Sequence, residues 1–142
     1  MTDSEEFIEA ADEEFRRGLF KEAHINYGKA LSRNTDRENY CRQMRGMCSR
    51  RVAEQRLKKA QADPATRQAF LVQAARWLAK AEANLESALE EADPSQQGRI
   101  RLEQADTEEA MARFMVLTGG DPKRRLVEAG RLRSEGERLL GV

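Results

Sequence analysis

The sequence predicts an all-α protein, an antiparallel array of helix hairpins with about six helices. Apolar residues recur at steps of three and four over long stretches, which is the spacing of one helix face. Asp-Pro pairs occur three times, and each pair places a good N-cap before the residue that best fits the first helical position. No window combines period-two alternation with turn residues, so no strand is predicted.

Short start and stop signals define the boundaries of these helices. Starts are indicated by Thr2-Asp3-Ser4, Thr35-Asp36, Asp63-Pro64, Asp93-Pro94 and Asp121-Pro122. Gly18 and Gly119-Gly120 mark stops, because glycine adopts the left-handed conformation that closes a helix. The predicted helices cover residues 4–17, 20–33, 36–62, 64–92, 94–118 and 122–139.

The connections between these helices are short, so consecutive helices are expected to be antiparallel neighbours. Residues 1–142 would then form a single domain of three hairpins, at about 4–33, 36–92 and 94–139.

The fourth helix has the clearest apolar face. Its small and aliphatic residues follow helical spacing at Leu71, Ala74, Leu78, Ala81, Leu85, Ala88 and Ala92. Trp77, the only tryptophan, lies in the middle of this helix and is expected to pack. His24, the only histidine, is expected at the surface or boundary of the second helix.

Residues 7–31, FIEAADEEFRRGLFKEAHINYGKAL, combine small and aromatic residues in a distinctive order. Small side chains would let two helices approach closely, and aromatic rings would fill the space beside them. The small residues are Ala10, Ala11, Ala23 and Ala30, and the aromatic ones are Phe15, Phe20 and Tyr27. This stretch resembles one tetratricopeptide repeat, a helix–turn–helix unit of about 34 residues.

The resemblance is clear over residues 7–31 and weak beyond them. It implies a helical repeat array that binds other proteins, with the later helices forming lengthened hairpins. An ordinary helical bundle with one repeat-like hairpin is the alternative. Some family members hold a carboxylate with Lys and Asn, but Ile8 and Asp12 stand at those positions here, so that ligand is not expected.

A second resemblance concerns residues 76–85, RWLAKAEANL. They look like the third helix of microtubule-interacting-and-trafficking domains, with their aromatic-Leu-x-Arg-Ala-Glu-x-Leu pattern. This resemblance implies a helical bundle that docks an amphipathic partner helix. The additional helix at 36–62 departs from the standard three-helix arrangement.

The charge is balanced overall but uneven along the chain. Basic and acidic side chains number 25 each, which does not favour a generally basic nucleic-acid binder. Residues 37–63, however, hold eight basic and three acidic side chains. At about 100° per residue, one face of the third helix gathers Arg42, Arg45, Arg56 and Lys59.

These four residues, the basic stripe, are the predicted partner-binding site. In a repeat array the first, third and fifth helices line a groove, so the stripe would meet an acidic or carboxylate-bearing peptide. The other interpretation is a solvated basic face balanced by acidic neighbouring helices.

Two cysteines, Cys41 and Cys48, lie seven residues apart in the third helix. Their Cα atoms would be about 10.5 Å apart along the axis, whereas a disulfide needs less than roughly 7 Å. Both are therefore expected to be reduced thiols. The acidic start MTDSEEF lacks an apolar signal region, and no apolar run approaches the roughly 20 residues of a membrane span. A cytoplasmic protein is expected.

No catalytic constellation emerges from the sequence. It contains no GxxxxGK[ST], GxGxxG, GxSxG or CxxC pattern, so neither a cofactor nor a metal is predicted, and an enzyme is not expected. The predicted function is a non-catalytic protein–protein interaction module, such as an adaptor, co-chaperone or scaffold subunit. The alternatives are the trafficking-type bundle and, less favoured, a nucleic-acid accessory protein that uses the basic helix 36–62.

Overall fold

A computed structural model describes residues 2–142, and within this range the protein is all-α with no strand. Its six helices are α1 (Asp3–Arg16), α2 (Phe20–Leu31), α3 (Glu38–Ala62), α4 (Arg67–Leu89), α5 (Pro94–Leu117) and α6 (Lys123–Leu140). The predicted fold class is confirmed, and every predicted helix end lies within three residues of the observed one.

Side-chain caps begin two of the helices as predicted. The Thr2 side chain accepts from the Glu5 backbone N–H at 3.2 Å, and the Glu5 carboxylate accepts from the Thr2 N–H. Asp93 and Gln96 form the same reciprocal pair around Pro94, with 2.8 Å from the Gln96 N–H to the Asp93 carboxylate. Each box satisfies two backbone donors that the helix itself leaves free.

The first Asp-Pro pair does not begin a helix, and the predicted start at residue 64 is wrong. The Asp63 carboxylate accepts from the Ala65 N–H and from the Thr66 hydroxyl, both at 3.0 Å. These bonds close a turn over residues 64–66, and α4 begins at Arg67. Asp63 therefore stabilises the turn by the local side-chain bonding that competes with helix formation.

The hairpin of α1 and α2 has a polar centre in its packing. The Asp12 carboxylate accepts from the Tyr27 hydroxyl at 2.5 Å and from the Tyr40 hydroxyl of α3 at 2.6 Å. Ala23 and Ala30 are fully buried, as the sequence predicts. On α1, Ala11 is buried as predicted, whereas Ala10, also predicted in the helix contact, is exposed and Ile8 is buried instead.

Side-chain-to-backbone hydrogen bonds stabilise the α3–α4 hairpin at both of its ends. Near the connecting turn, the Arg67 guanidinium donates to the Ala60 carbonyl at 2.9 Å. At the far end, the Asn39 amide donates to the Ala88 carbonyl. The predicted apolar face of α4 is buried from Leu71 to Ala88. Ala92, predicted on the same face, lies beyond the end of α4 and is only partly buried.

The α5–α6 hairpin brings two backbones unusually close together. A Cβ atom added at Gly136 would lie 2.9 Å from the Gly98 carbonyl oxygen, and one added at Gly98 would lie 2.7 Å from the Leu140 Cγ. Away from this crossing, Arg133 pairs with Asp106 at 3.0 Å and with Glu109 at 2.6 Å. Close packing at one end and ion pairs along the rest hold the two helices together.

The three hairpins stack side by side through α3. This helix contacts α2 on one side and α5 on another, while α4 also contacts α5. One apolar cluster joins α1, α2 and the first half of α3, and a second joins the second half of α3 to α4 and α5. Trp77 packs against both clusters, which confirms its predicted packing role.

Candidate functional site

A groove that is open to solvent lies between α3 and α5. We call it the α3–α5 groove; its volume is about 620 Å³, and Phe20 of α2 is one of its lining residues. Its α3 side consists of Arg51, Glu54, Gln55, Leu57, Lys58 and Gln61, and its α5 side of Arg113, Val116 and Leu117. Three cations and one carboxylate therefore line the groove together with apolar side chains.

An ionic network beneath this groove joins its two helices. The buried Arg50 guanidinium of α3 lies 3.1 Å from Glu103 of α5 and 2.8 Å from Glu54. Glu54 also accepts from Arg113 of α5 at 2.9 Å. Burial raises the pKa of the Glu103 carboxyl, and Arg50 opposes that effect. Each charge has a partner across the helix contact, so the network holds α3 and α5 in register.

The cations at the rim differ in how far they are paired. Arg51 lies 3.9 Å from Glu54, and its guanidinium carbon is 4.6 Å from the centre of the Phe20 ring. Arg113 is 58% exposed although it pairs with Glu54. Lys58 is exposed and forms no ion pair within residues 2–142. One carboxylate thus serves several cations, and the rim keeps a positive charge.

Two smaller depressions share lining residues with the groove. One, of about 440 Å³, shares Gln55 and Lys58 with it and reaches Lys59. The other, of about 290 Å³, shares Arg113 and Val116 and reaches Leu126 of α6. Val116 and Leu126 are 59% and 51% exposed. Together the two depressions place cations along α3, and toward α6 they place exposed aliphatic side chains beside Glu109, which is paired with Arg133.

The basic stripe lies mainly elsewhere on α3. On a helix of 3.6 residues per turn, Arg45 and Arg56 fall on nearly the opposite side from Arg51 and Lys58. Arg42 pairs with Glu38 at 3.6 Å, outside the groove. Of the four stripe residues, Lys59 alone lines a depression that adjoins the groove.

The two central arginines of the stripe are partly covered by neighbouring helices. Arg45 lies against Gly28 of α2, and burial lowers the pKa of its guanidinium. The Nε atoms of Arg45 and Arg56 are both buried without a hydrogen-bond partner. Lys59 instead stays exposed, with its Nζ 5.6 Å from the centre of the Phe70 ring. The structure therefore does not present these side chains as one open stripe.

His24 was expected at the surface or boundary but is buried, at 6% exposure. Its ring meets Trp77 of α4 edge-to-face at 5.2 Å between centroids, and its Nε2 has no hydrogen-bond partner. Burial, reinforced by the charges of Arg45 and Lys80, lowers the pKa of His24 to about 4. The imidazole is thus neutral at pH 7 and acts as an aromatic packing residue.

Both cysteines are free thiols, as predicted, and both are buried. Burial raises the pKa of Cys41 to about 11 and that of Cys48 to about 12. A thiol with so high a pKa is almost wholly protonated at neutral pH and therefore a poor nucleophile.

The groove residues were missed at the sequence level although a partial signal exists. Arg51 and Lys58 lie seven residues apart, hence on one side of α3, and Glu54 falls between them. Only the position of α5 shows that this side, rather than the stripe, borders a groove.

Comparison of the chain with protein-family models, with curated proteins and with solved structures finds no match. Among residues 2–142, no helix has the combined length and apolar character that crossing a membrane requires.

Proposed function

We propose that this protein is a non-catalytic interaction module that binds a segment of another protein in the α3–α5 groove. The observation that supports this most directly is the exposed aliphatic surface of Val116 and Leu126, which continues the groove toward α6. Apolar surface rimmed by polar groups is typical of protein-binding sites. The module would act as an adaptor or a scaffold subunit.

The positions of the chemically unusual groups support a non-catalytic role. The groups whose pKa departs furthest from its ordinary value through burial are His24, Tyr27, Cys41 and Cys48. All four lie in the packing of the first two hairpins, and none lines the groove. The buried groups beneath the groove whose pKa is also shifted, Arg50 and Glu103, are paired with each other. In enzymes such groups usually converge on a cleft. Two free thiols also support a reducing compartment, the cytoplasm, as the location.

The nucleic-acid alternative is less well supported because much of the positive charge of α3 is already used. Arg50 is buried in the ionic network, and Arg45 and Arg56 are partly covered. Phosphate binding needs accessible cations along one surface. The accessible ones instead flank an aliphatic surface, which suits a protein ligand better.

The proposed function can be tested by site-specific photo-crosslinking in cells that express the protein. A photoreactive residue at Gln55, which is exposed in the groove, is compared with one at Ala79, which is exposed on α4. The proposal expects a discrete crosslinked protein from Gln55 only. Val116→Ser should abolish that product, whereas Val72→Ser, at an exposed valine of α4, should not. Equal crosslinking from both positions, or indifference to Val116→Ser, would contradict the proposal.

A further inference from the structure

We infer that the α3–α5 groove selects a partner segment that carries a carboxylate beside an aliphatic side chain, and that Glu54 occupies the carboxylate position when the groove is empty. This inference rests on the proposed function and specifies the chemistry of its partner. It follows from the pairing of charges at the rim and from the arrangement of apolar surface next to them.

The charge at the rim favours an anion. Arg51, Lys58 and Arg113 face the groove, with Glu54 as the one carboxylate among its lining residues. Glu54 lies 3.9 Å from Arg51 and 2.9 Å from Arg113, and Lys58 has no such partner within residues 2–142. A partner carboxylate would therefore gain attraction from Lys58 immediately and from Arg113 in exchange for Glu54. A basic segment would meet three like charges, and this repulsion disfavours it.

Glu54 binds the same rim cations that a partner carboxylate would bind. Its carboxylate lies between helices at 24% exposure, accessible enough to exchange partners with an incoming acid. If Arg113 leaves Glu54, that carboxylate still retains Arg50 at 2.8 Å. The exchange therefore leaves no buried charge without a partner, so its cost is small.

The apolar part of the surface identifies the second feature of the partner. Val116 is shared by the groove and by the depression that leads to Leu126, and Arg113 lies one helical turn before it on α5. A carboxylate bound at Arg113 therefore brings a neighbouring side chain of the partner over Val116. Aliphatic surface there is covered only if that side chain is itself apolar.

Peptide selection tests the inference with no need for the natural partner. Short random peptides displayed on phage are selected on the wild-type protein and depleted on the Val116→Ser variant, so that only groove-dependent binders remain. We expect the remaining peptides to be enriched in Asp or Glu adjacent to Leu, Ile, Val or Met. Groove-dependent peptides without acidic residues would overturn the inference and leave the proposed function standing. If no groove-dependent peptide is enriched, both fail.

Glu54→Gln gives the sharpest second test because the sign of its effect depends on the charge of the ligand. For an enriched peptide, fluorescence anisotropy should show roughly twofold to fivefold tighter binding, since Arg51 and Arg113 lose their competitor. Lys58→Glu should weaken binding by at least as much, and added salt should weaken it further. Glu9→Gln and Arg76→Glu, the same charge changes at exposed positions of α1 and α4, should change little.

Weaker binding by Glu54→Gln would contradict the inference, provided that urea unfolding shows the variant to be folded.

Sedimentation of the free protein tests whether a second copy of the chain, rather than another protein, occupies the groove. A dimer that Val116→Ser dissociates would show that a second copy of the chain fills the groove, and would equally overturn the inference.

Discussion

Gly136→Ala should reveal how much stability depends on the close crossing of α5 and α6. Gly136 is buried inside α6, four residues before its end. A methyl group there would lie 2.9 Å from the Gly98 carbonyl oxygen and 3.0 Å from the Leu102 Cδ2. A backbone oxygen cannot rotate away as a side chain can, so the two helices must separate at this point.

The magnitude follows from two opposing effects. Alanine is about 1 kcal/mol more favourable than glycine inside a helix, and overpacking a close contact costs about 1–3 kcal/mol. Gly130 isolates the first effect, because it is an exposed residue of the same helix with no atom within 4 Å of an added Cβ. Gly130→Ala should therefore raise the free energy of unfolding by about 1 kcal/mol. The free energy of unfolding of Gly136→Ala should be about 1–3 kcal/mol lower than that of Gly130→Ala.

Urea unfolding, followed by far-ultraviolet circular dichroism, measures both variants against the wild type. The difference between the two alanine variants is the steric cost, since the gain in helix propensity cancels. If Gly136→Ala stabilised the protein as much as Gly130→Ala does, the backbones would not cross closely at this glycine and the packing of α6 on α5 would be incorrect.

Three further outcomes are expected from urea unfolding. Glu103→Ala should lower the free energy of unfolding by about 3 kcal/mol because Arg50 loses a buried partner. Adding Arg50→Met should recover part of that loss. If the effects of the two substitutions simply added, Arg50 and Glu103 would not stabilise each other. Asp12→Ala should also cost about 3 kcal/mol, since it leaves two tyrosine hydroxyls without an acceptor, and an unchanged midpoint would exclude that role. His24 is neutral when folded, with a pKa of about 4 against 6.5 in the unfolded chain, so unfolding takes up a proton as pH falls. Relative to His24→Phe, the wild type should lose about 3 kcal/mol between pH 7 and pH 4; parallel pH profiles would refute the burial of a neutral imidazole.

Local signals in the sequence predict most of the helix boundaries because the physics that sets them is local. The capping boxes at Thr2 and Asp93 involve residues three apart in the chain, and Gly18 closes α1 with a positive φ of 77°. Asp63-Pro64 shows the limit of such signals. The same two residue types also fit a turn, and the bond from Thr66 to Asp63 favours the turn at this site.

Residues whose role depends on another helix could not be predicted in the same way. The exposed Gly130 and the buried Gly136 both lie inside α6, and only contact with α5 distinguishes them. His24 likewise follows a buried alanine on α2 and would be a boundary residue if Trp77 of α4 did not cover it. Such roles arise from contacts between residues far apart in sequence.

At the candidate site, helical periodicity predicts which residues share a face of α3, but only packing determines which face borders the groove. Helical spacing correctly groups Arg45 with Arg56, and it equally groups Arg51 with Lys58. Spacing does not state which pair is partly buried and which pair borders α5. The face with Arg45 and Arg56 carries more basic residues, and the sequence therefore predicts the binding site there. In the structure it is Arg51 and Lys58 that line a groove.

The ionic network implies that stability and binding are linked in this protein. Glu54 contributes to the contact of α3 with α5 through Arg113, and the same bond lowers the positive charge available to an acidic ligand. Removing Glu54 should therefore tighten binding and weaken the helix contact together. An acidic partner has to compete with this internal bond, so its affinity depends on how much better it pairs with Arg113 than Glu54 does. A groove built in this way binds selectively, because a ligand that lacks a carboxylate leaves the internal pair in place and gains only the aliphatic contact at Val116.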